Sequence, residues 1–394
     1  LHTLFRVKAD LHMKKADIAI IGGGPAGAIA ALTLARNGVD VILIEQSDGS
    51  NFVVGESLPP AARPILASLG LLERMKDGGH KTAYANRSVW GTDEVVTSDF
   101  IFNPLGCGWH LDRRAFNLML ISAAAEAGVR VLKSTCVTGA ARTRDGWSLK
   151  LRINGEPDEL VVGFICDCTG RKAAFAQKQG ARRLHYDKLI AVVTLSEAGA
   201  QGDNDATTLI EAVAGGWWYT ALLPSGQRIT IYHTDRDLVD ATRIRHIEEW
   251  SKLLGRTEYV REEHKRFNYQ LLSGPRMVAA GSSRLNRVVG DRWLAAGDAA
   301  AAFDPLSSQG IMTALDSGSQ AADAILANLK GNSSALQRYE ESVKKMYAGY
   351  LWKRAMYYAQ EKRWSTSTFW SRRQASYSTR APVFAQARNA ARHT

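Results

Sequence analysis

Residues 17–38, DIAIIGGGPAGAIAALTLARNG, decide the fold. The apolar run 17–21 reads as a buried strand. Residues 22–27 form a glycine turn, and 28–38 read as a helix closed by Gly38. VDVILIEQ at 39–46 supplies a second strand, which completes a βαβ unit and calls for a parallel sheet. Gly22, Gly24 and Gly27 stand as G-x-G-x-x-G between strand and helix. The first permits the tight turn, the second lets the backbone approach a pyrophosphate, and the third lets helix and strand pack closely. The phosphates then meet free N–H groups at a helix N-terminus. Glu45 ends the second strand about 20 residues further on, placed to accept hydrogen bonds from a ribose diol. That favours an unphosphorylated ribose, as in FAD or NAD.

A second stretch separates those cofactors. WLAAGDAAAAFDPLSSQGI at 293–311 ends an apolar strand on Gly297 and Asp298, then delays regular structure until Gly310. A nicotinamide nucleotide needs no second polar cradle so far downstream. A flavin does, because its ribityl chain and ring extend away from the adenosine. Asp298 suits a ribityl hydroxyl. The N–H groups near Gln309, Gly310 and Ile311, at a helix N-terminus, suit negative charge on the pyrimidine edge of a reduced flavin. Pro305 and the serines keep that backbone irregular.

The whole chain is consistent with an α/β protein of two intimately joined units. It has 394 residues, 45% of them apolar, enough for a substantial core. Lys and Arg number 50 against 39 Asp and Glu, a formal net charge of +11. A basic balance suits nucleic acid, a membrane surface or an acidic protein partner. No run of five like charges and no recognition-helix or zinc-finger pattern occurs, so nucleic acid is not expected. No stretch of about 18 apolar residues occurs either, so no membrane span is expected. Cys107, Cys136, Cys166 and Cys168 are too sparse for a disulfide scaffold and fit a reducing, cytoplasmic setting. Cys166 and Cys168 fall on one face of a strand, with no metal spacing, and read as core; no metal site is expected.

Residues 1–12 read as an N-terminal extension before Met13. A Rossmann-type FAD-binding domain is expected from 13–82, 105–182 and 274–330. Between them, 83–104 and 183–273 form an inserted substrate domain, because 188–234 alternates β-rich runs with glycine turns as an antiparallel sheet does. Residues 331–394 form a helical C-terminal region with Trp352, Trp364 and Trp370, either packed on the domain or a docking surface.

IIGGGPAG at 20–27, GESLPP at 55–60, WHLDRRAF at 109–116, DCTGR at 167–171 and GDAAAAFDPLSSQGI at 297–311 resemble the single-component flavin monooxygenases of the aromatic-hydroxylase type, especially the branch of the flavin-dependent halogenases. The resemblance runs over 16–330. It implies FAD, Arg113 near the flavin, Asp298 on the ribityl chain and a seven-stranded-type substrate sheet. One departure is Cys168, where such proteins usually carry alanine. The cofactor set is then Gly22, Gly24, Pro25, Ala26, Gly27, Glu45, Gln46, Glu56, Ser57, Arg113, Gly170, Asp298, Pro305, Gln309, Gly310 and Ile311.

Halogenases of that branch carry a Trp-x-Trp-x-Ile-Pro motif and a halogen-carrying lysine. In GWWYTALLP at 216–224 the two tryptophan places, counted back from Pro224, hold Tyr219 and Ala221, so the motif is broken. Lys81 falls near the lysine's place. HKTAYANRSVWG, NPLGCGWHLDRRAF and DPLSSQG together look closer to the LodB/GoxB-like and QhpG-like flavoproteins, maturases that modify a tryptophan of a partner protein towards cysteine tryptophylquinone. The resemblance implies hydroxylation of a peptidyl tryptophan through a flavin C4a-hydroperoxide, with electrons from an external reductant or NAD(P)H. His80, Lys81, Glu56 and His110 are the polar candidates for proton transfer. A partner chain is expected to lie along GGWWYTALLP and SDFIFNPLGCGWH as sheet edges and turns. The basic tracts RIRH at 243–246 and KRW with SRR at 362–373 are expected to grip its acidic rim. Competing readings are a halogenase or small-molecule aromatic hydroxylase, an isoprenoid-reductase-like flavoenzyme, and a non-enzymatic flavin-holding chaperone.

Overall fold

The computed structural model describes residues 15–49, 53–200 and 202–375. The extension 1–12 and the last residues, 376–394, lie outside the described residues. Four helices carry the argument: α1 (Pro25–Arg36), α2 (Arg113–Glu126), α3 (Gly310–Leu329) and α4 (Ala335–Gln360).

The first of two large sheets has a parallel centre. Lys15–Ile21 lies between Val41–Ile44 and Glu156–Asp167; Arg130–Leu132 and Trp293–Ala295 flank these, all parallel. VILI at 41–44 is buried at every position, as a strand covered on both faces requires. The hairpin Thr135–Arg142 and Trp147–Ile153 adds antiparallel strands along the outer half of Glu156–Asp167. Helices α1 and α3 pack on each other over this sheet. Cys166 and Cys168 are buried free thiols with sulfurs 3.5 Å apart, in the core as expected.

The second sheet has eight strands. Its order is Gln270–Leu271, Leu189–Glu197, Gln227–Asp235, Gly216–Leu222, Thr208–Val213, Ala85–Val89 and Val96–Asp99, with Arg276–Ala279 also on Leu189–Glu197. The antiparallel strands expected over 188–234 are present, but the sheet has eight strands rather than the implied seven, and one pair is parallel. Thr208–Val213 and Ala85–Val89 run parallel, because Ala85–Val89 arrives on a separate excursion of the chain. Gly216–Leu222 is an interior strand buried along its whole length, not the edge on which a partner peptide was expected to lie. Its alternate residues face opposite ways. Trp217, Tyr219 and Ala221 face one apolar cluster, and Trp218 packs behind with Trp250 and Val260.

Helix α4 returns across both sheets. Beyond it, Phe369 and Trp370 are fully buried against the cluster of Trp217 and Tyr219. Trp370 is thus packing, not docking surface. The 362–373 tract is also spent internally. Arg363 pairs with Glu361 and Asp93, Arg372 with Asp235 and Asp237, and Arg373 with Asp235. No described helix is long and apolar enough to cross a membrane.

Candidate active site

A cavity of about 370 Å³ runs between the two sheets. One end is the glycine turn: Gly24, Pro25 and Ala26 line it, with Gly170 and Arg171 beside them. Gly22 and Gly27 do not touch the cavity but build the turn. A Cβ on Gly27 would lie 1.9 Å from the Gly22 carbonyl oxygen, and one on Gly22, at φ +107°, 2.3 Å from that of Cys168. A Cβ on Gly24 would meet nothing within 4 Å, so the space before α1 is open. Neither Gly24 at the start of α1 nor Gln309 at the start of α3 gives a side-chain cap. Two uncapped helix N-termini flank this cavity, a donor set that fits an anionic, two-ended ligand.

Glu45 ends the second strand as expected. Its two oxygens accept from Gly23 N at 2.5 Å and Ser47 N at 2.6 Å, which fixes the carboxylate beside the turn with lone pairs left over. Gln46 is exposed and stands off the cavity, and so does Gln309, whereas Gly310, Ile311 and Pro305 line it. Asp298 lines it too. Enclosure raises its pKa while Arg171, Arg183 and Arg113 pull it down. Arg171 sits 3.5 Å from the Asp298 carboxylate and donates to Gly281 O and Phe303 O; Arg183 donates to Asp298 O and Ala299 O. Neither supporting arginine was singled out from the sequence, although Arg171 stands in the quoted DCTGR.

Arg113 begins α2, where Asp112 caps by accepting from Ala115 N at 2.9 Å. The guanidinium donates to Gly55 O and Val54 O, and its buried Nε has no partner. Burial pulls its pKa down to about 10, so it remains a cation at neutral pH. An unpartnered buried N–H on a cavity-lining cation, with the two open helix ends, fits the polar edge of a flavin.

The other end of the cavity is aromatic and comes from the second sheet: Trp217, Tyr219, Ile231 and His233. Glu56 and Ser57 join the two ends. Glu56 is 4% exposed, and burial raises its pKa against Tyr219, backbone amides and Arg113. The Tyr219 phenol faces that carboxyl closely enough to be felt electrostatically but completes no hydrogen bond of good geometry. His233 is buried, its Nδ1 is without a partner, and burial pushes its pKa down to about 3. His233 was not foreseen, since QRITIYHT reads only as a strand.

Three of the four expected proton-transfer residues lie outside the cavity lining. His110 is fully buried on the short strand Gly108–His110. Its Nδ1 donates to Leu222 O and its Nε2 therefore accepts from Thr208 Oγ1; burial lowers its pKa to about 4. It is a neutral structural link between sheets. His80 accepts from Asp112 N and packs edge-on against Phe116. Lys81 pairs in register with His110 in a small three-stranded sheet. Glu56 alone of the four lines the cavity.

Residues 15–351 match the family described as FAD binding domain. The putative FAD-dependent oxidoreductase LodB of Marinomonas mediterranea is 28% identical over 371 residues, 92% of this chain and 98% of LodB. The 1H-pyrrole-2-carbonyl-(peptidyl-carrier protein) brominase of Pseudoalteromonas luteoviolacea is 26% identical over 343 residues, 81% of this chain and 79% of the brominase. Among solved structures, the flavin-dependent halogenase CmlS superposes with TM-score 0.80 at 26% identity, over 95% of this chain and 71% of CmlS. The peptidyl tryptophan dihydroxylase QhpG superposes with TM-score 0.77 at 24% identity, over 91% and 79%, a likeness of fold. The cavity geometry and these matches agree: the chain belongs to the FAD binding domain family and is an FAD-dependent oxidoreductase of the monooxygenase type.

Proposed function

We propose that this enzyme hydroxylates a tryptophan side chain within a partner polypeptide, a step of tryptophylquinone cofactor maturation. The observation that carries the reading is the composition of the cavity's far end. An aromatic wall of Trp217 and Tyr219 faces a carboxyl, Glu56, and the cavity reaches the surface at Val53 and Val278, which are 41% and 36% exposed. Such a mouth admits a side chain that remains attached to its chain, whereas a closed pocket buries about 70–90% of a small ligand. Two similarities add support. QhpG acts on peptidyl tryptophan, and LodB is matched over nearly its full length.

FAD, when reduced, supplies the oxygen-activating chemistry. The chain's own residues do the rest. Gly24, Glu45 and the start of α1 bind the dinucleotide end; Arg113, Asp298 and the start of α3 hold the flavin end. Trp217 and Tyr219 exclude water and orient the indole. Glu56 accepts a proton from the ring at the carbon that gains oxygen. Burial raises its pKa, which makes its carboxylate a stronger base than an ordinary one, and Arg113 opposes that rise.

Halogenation is the second reading, favoured by the many halogenase relatives. Tyr219 and Ala221 in the two tryptophan places, and Lys81 outside the cavity lining, speak for hydroxylation. Isotopic oxygen incorporation tests the proposal. The FAD-loaded enzyme, a reductant and ¹⁸O₂ are incubated with free tryptophan and with an unmodified precursor protein that carries a target tryptophan. Label in the precursor and little in the free amino acid is expected. Efficient turnover of free tryptophan, or a halogenated product in bromide, overturns it.

A further inference from the structure

One hydroxyl ties the two halves of the cavity together. Tyr358, on the last turn of α4, is fully buried. Its oxygen accepts the Trp217 indole N–H at 3.0 Å and donates to Asp304 Oδ2 at 2.8 Å. Trp217 belongs to the aromatic wall; Asp304 opens the turn Pro305–Ser307 that leads into α3. Asp304 Oδ1 accepts from Leu306 N at 3.0 Å, so the carboxylate sets the shape of that turn.

Neighbouring residues of α4 complete the clasp at helical spacing. Arg354 donates to Asp304 Oδ2 at 3.0 Å and sits 2.9 Å from Asp187. Tyr350 accepts from Asp304 N at 2.7 Å and shares a hydrogen bond with Ser282 at 2.7 Å. Asp187 and Ser282 stand where the chain crosses between the two sheets, just before Leu189–Glu197 and just before Ser283–Leu285. One face of α4 therefore grips both crossings, the flavin-side turn and the aromatic wall. Arg354 and Tyr358 lie beyond residue 351, where the family match ends.

We propose that Tyr358 is a positioning residue that fixes the Trp217 wall against the Asp304 turn, so that the flavin and the substrate wall are held in one register. The physical reason is that a buried hydroxyl with both partners satisfied has one favourable placement, and losing either partner leaves a buried polar group unpaired. The inference concerns the cofactor and the wall, and holds whichever aromatic substrate the cavity takes.

The test labels the ten tryptophans with 5-fluorotryptophan and assigns the Trp217 ¹⁹F signal by its loss in Trp217→Phe. Asp304→Asn is the decisive variant, because Asp304 bonds Tyr358 and not Trp217. It should move the Trp217 signal while those of Trp109 and Trp293 stay. Tyr358→Phe should move the same signal and raise the FAD dissociation constant about tenfold, equivalent to ~1.4 kcal/mol. A Trp217 signal unmoved by Asp304→Asn overturns the proposal, even if Tyr358→Phe does not fold. So does a Tyr358→Phe protein that shifts Trp217 but binds FAD as the native protein does.

Discussion

Trp217 stacks on His233 with ring centres 3.7 Å apart and planes 13° apart. The two residues are register partners on adjacent interior strands, so the pair is built into the sheet. His233 is neutral there, and the stack presents a flat apolar wall to the cavity. Aromatic pairs of this kind contribute about 0.5–1.5 kcal/mol beyond burial. The consequences of this wall and of the flavin end can be measured.

Glu56→Gln separates activity from stability. Turnover should fall about 10²–10⁴-fold, the usual loss for a missing general base. Stability at neutral pH should rise. The native carboxyl has a raised pKa, so it folds without penalty at low pH, and folding becomes costlier as pH climbs from the ordinary carboxylate range through that raised value. Thermal midpoints of the two proteins should therefore converge in acid and part towards neutrality. Equal midpoints at every pH would contradict the assignment.

Gly24→Ala and Gly27→Ala should behave oppositely. The Gly24 methyl enters open space, so the cofactor-free protein should fold normally; with the dinucleotide site crowded, FAD binding should weaken by about 1–3 kcal/mol. The Gly27 methyl collides with backbone and should cripple folding itself. Titration with FAD and unfolding in urea read the two effects. A Gly24→Ala protein with native FAD affinity would place the pyrophosphate elsewhere.

Lys81→Ala should leave stability within about 0.5 kcal/mol and turnover unchanged, because Lys81 does not reach the cavity lining. Chloride or bromide in the assay should give no halogenated product with either protein, as mass spectrometry of the product would reveal. Loss of turnover in Lys81→Ala would reinstate the lysine as a working residue.

Acid should loosen the fold through its buried histidines, above the ordinary carboxylate range, with the raised carboxyls of Glu56 and Asp298 opposing part of the loss. His110 and His264 are held neutral with pKa values lowered to about 4, and His233 to about 3, by burial. The unfolded chain protonates its histidines near pH ~6.5. It therefore binds more protons than the native state between about 6.5 and 4, and stability falls as pH drops through that window. Urea midpoints measured at steps across it should decline steadily. A flat profile down to pH 5 would mean that these rings are reached by solvent.

The sequence by itself determined the flavin half. The turn at 22–27, Glu45 and the 297–311 segment are local: each works through backbone shape and residues close in the chain, so a parallel sheet, two helix N-termini and FAD were legible. What lies across the cavity was decided only by tertiary structure. GGWWYTALLP looked like an edge because its glycines and proline flag turns, yet hydrogen bonding to strands on both sides makes it interior. His110 and Lys81 looked available because they adjoin quoted motifs; pairing into the small sheet removes both from the cavity lining, and burial keeps His110 neutral. The arginines of 362–373 looked like a docking tract until their acids proved to be Glu361, Asp93, Asp235 and Asp237. His233, Arg183 and Tyr358 carry no local signal at all. Their roles come from contacts between segments far apart in sequence, which burial selects and no periodicity encodes.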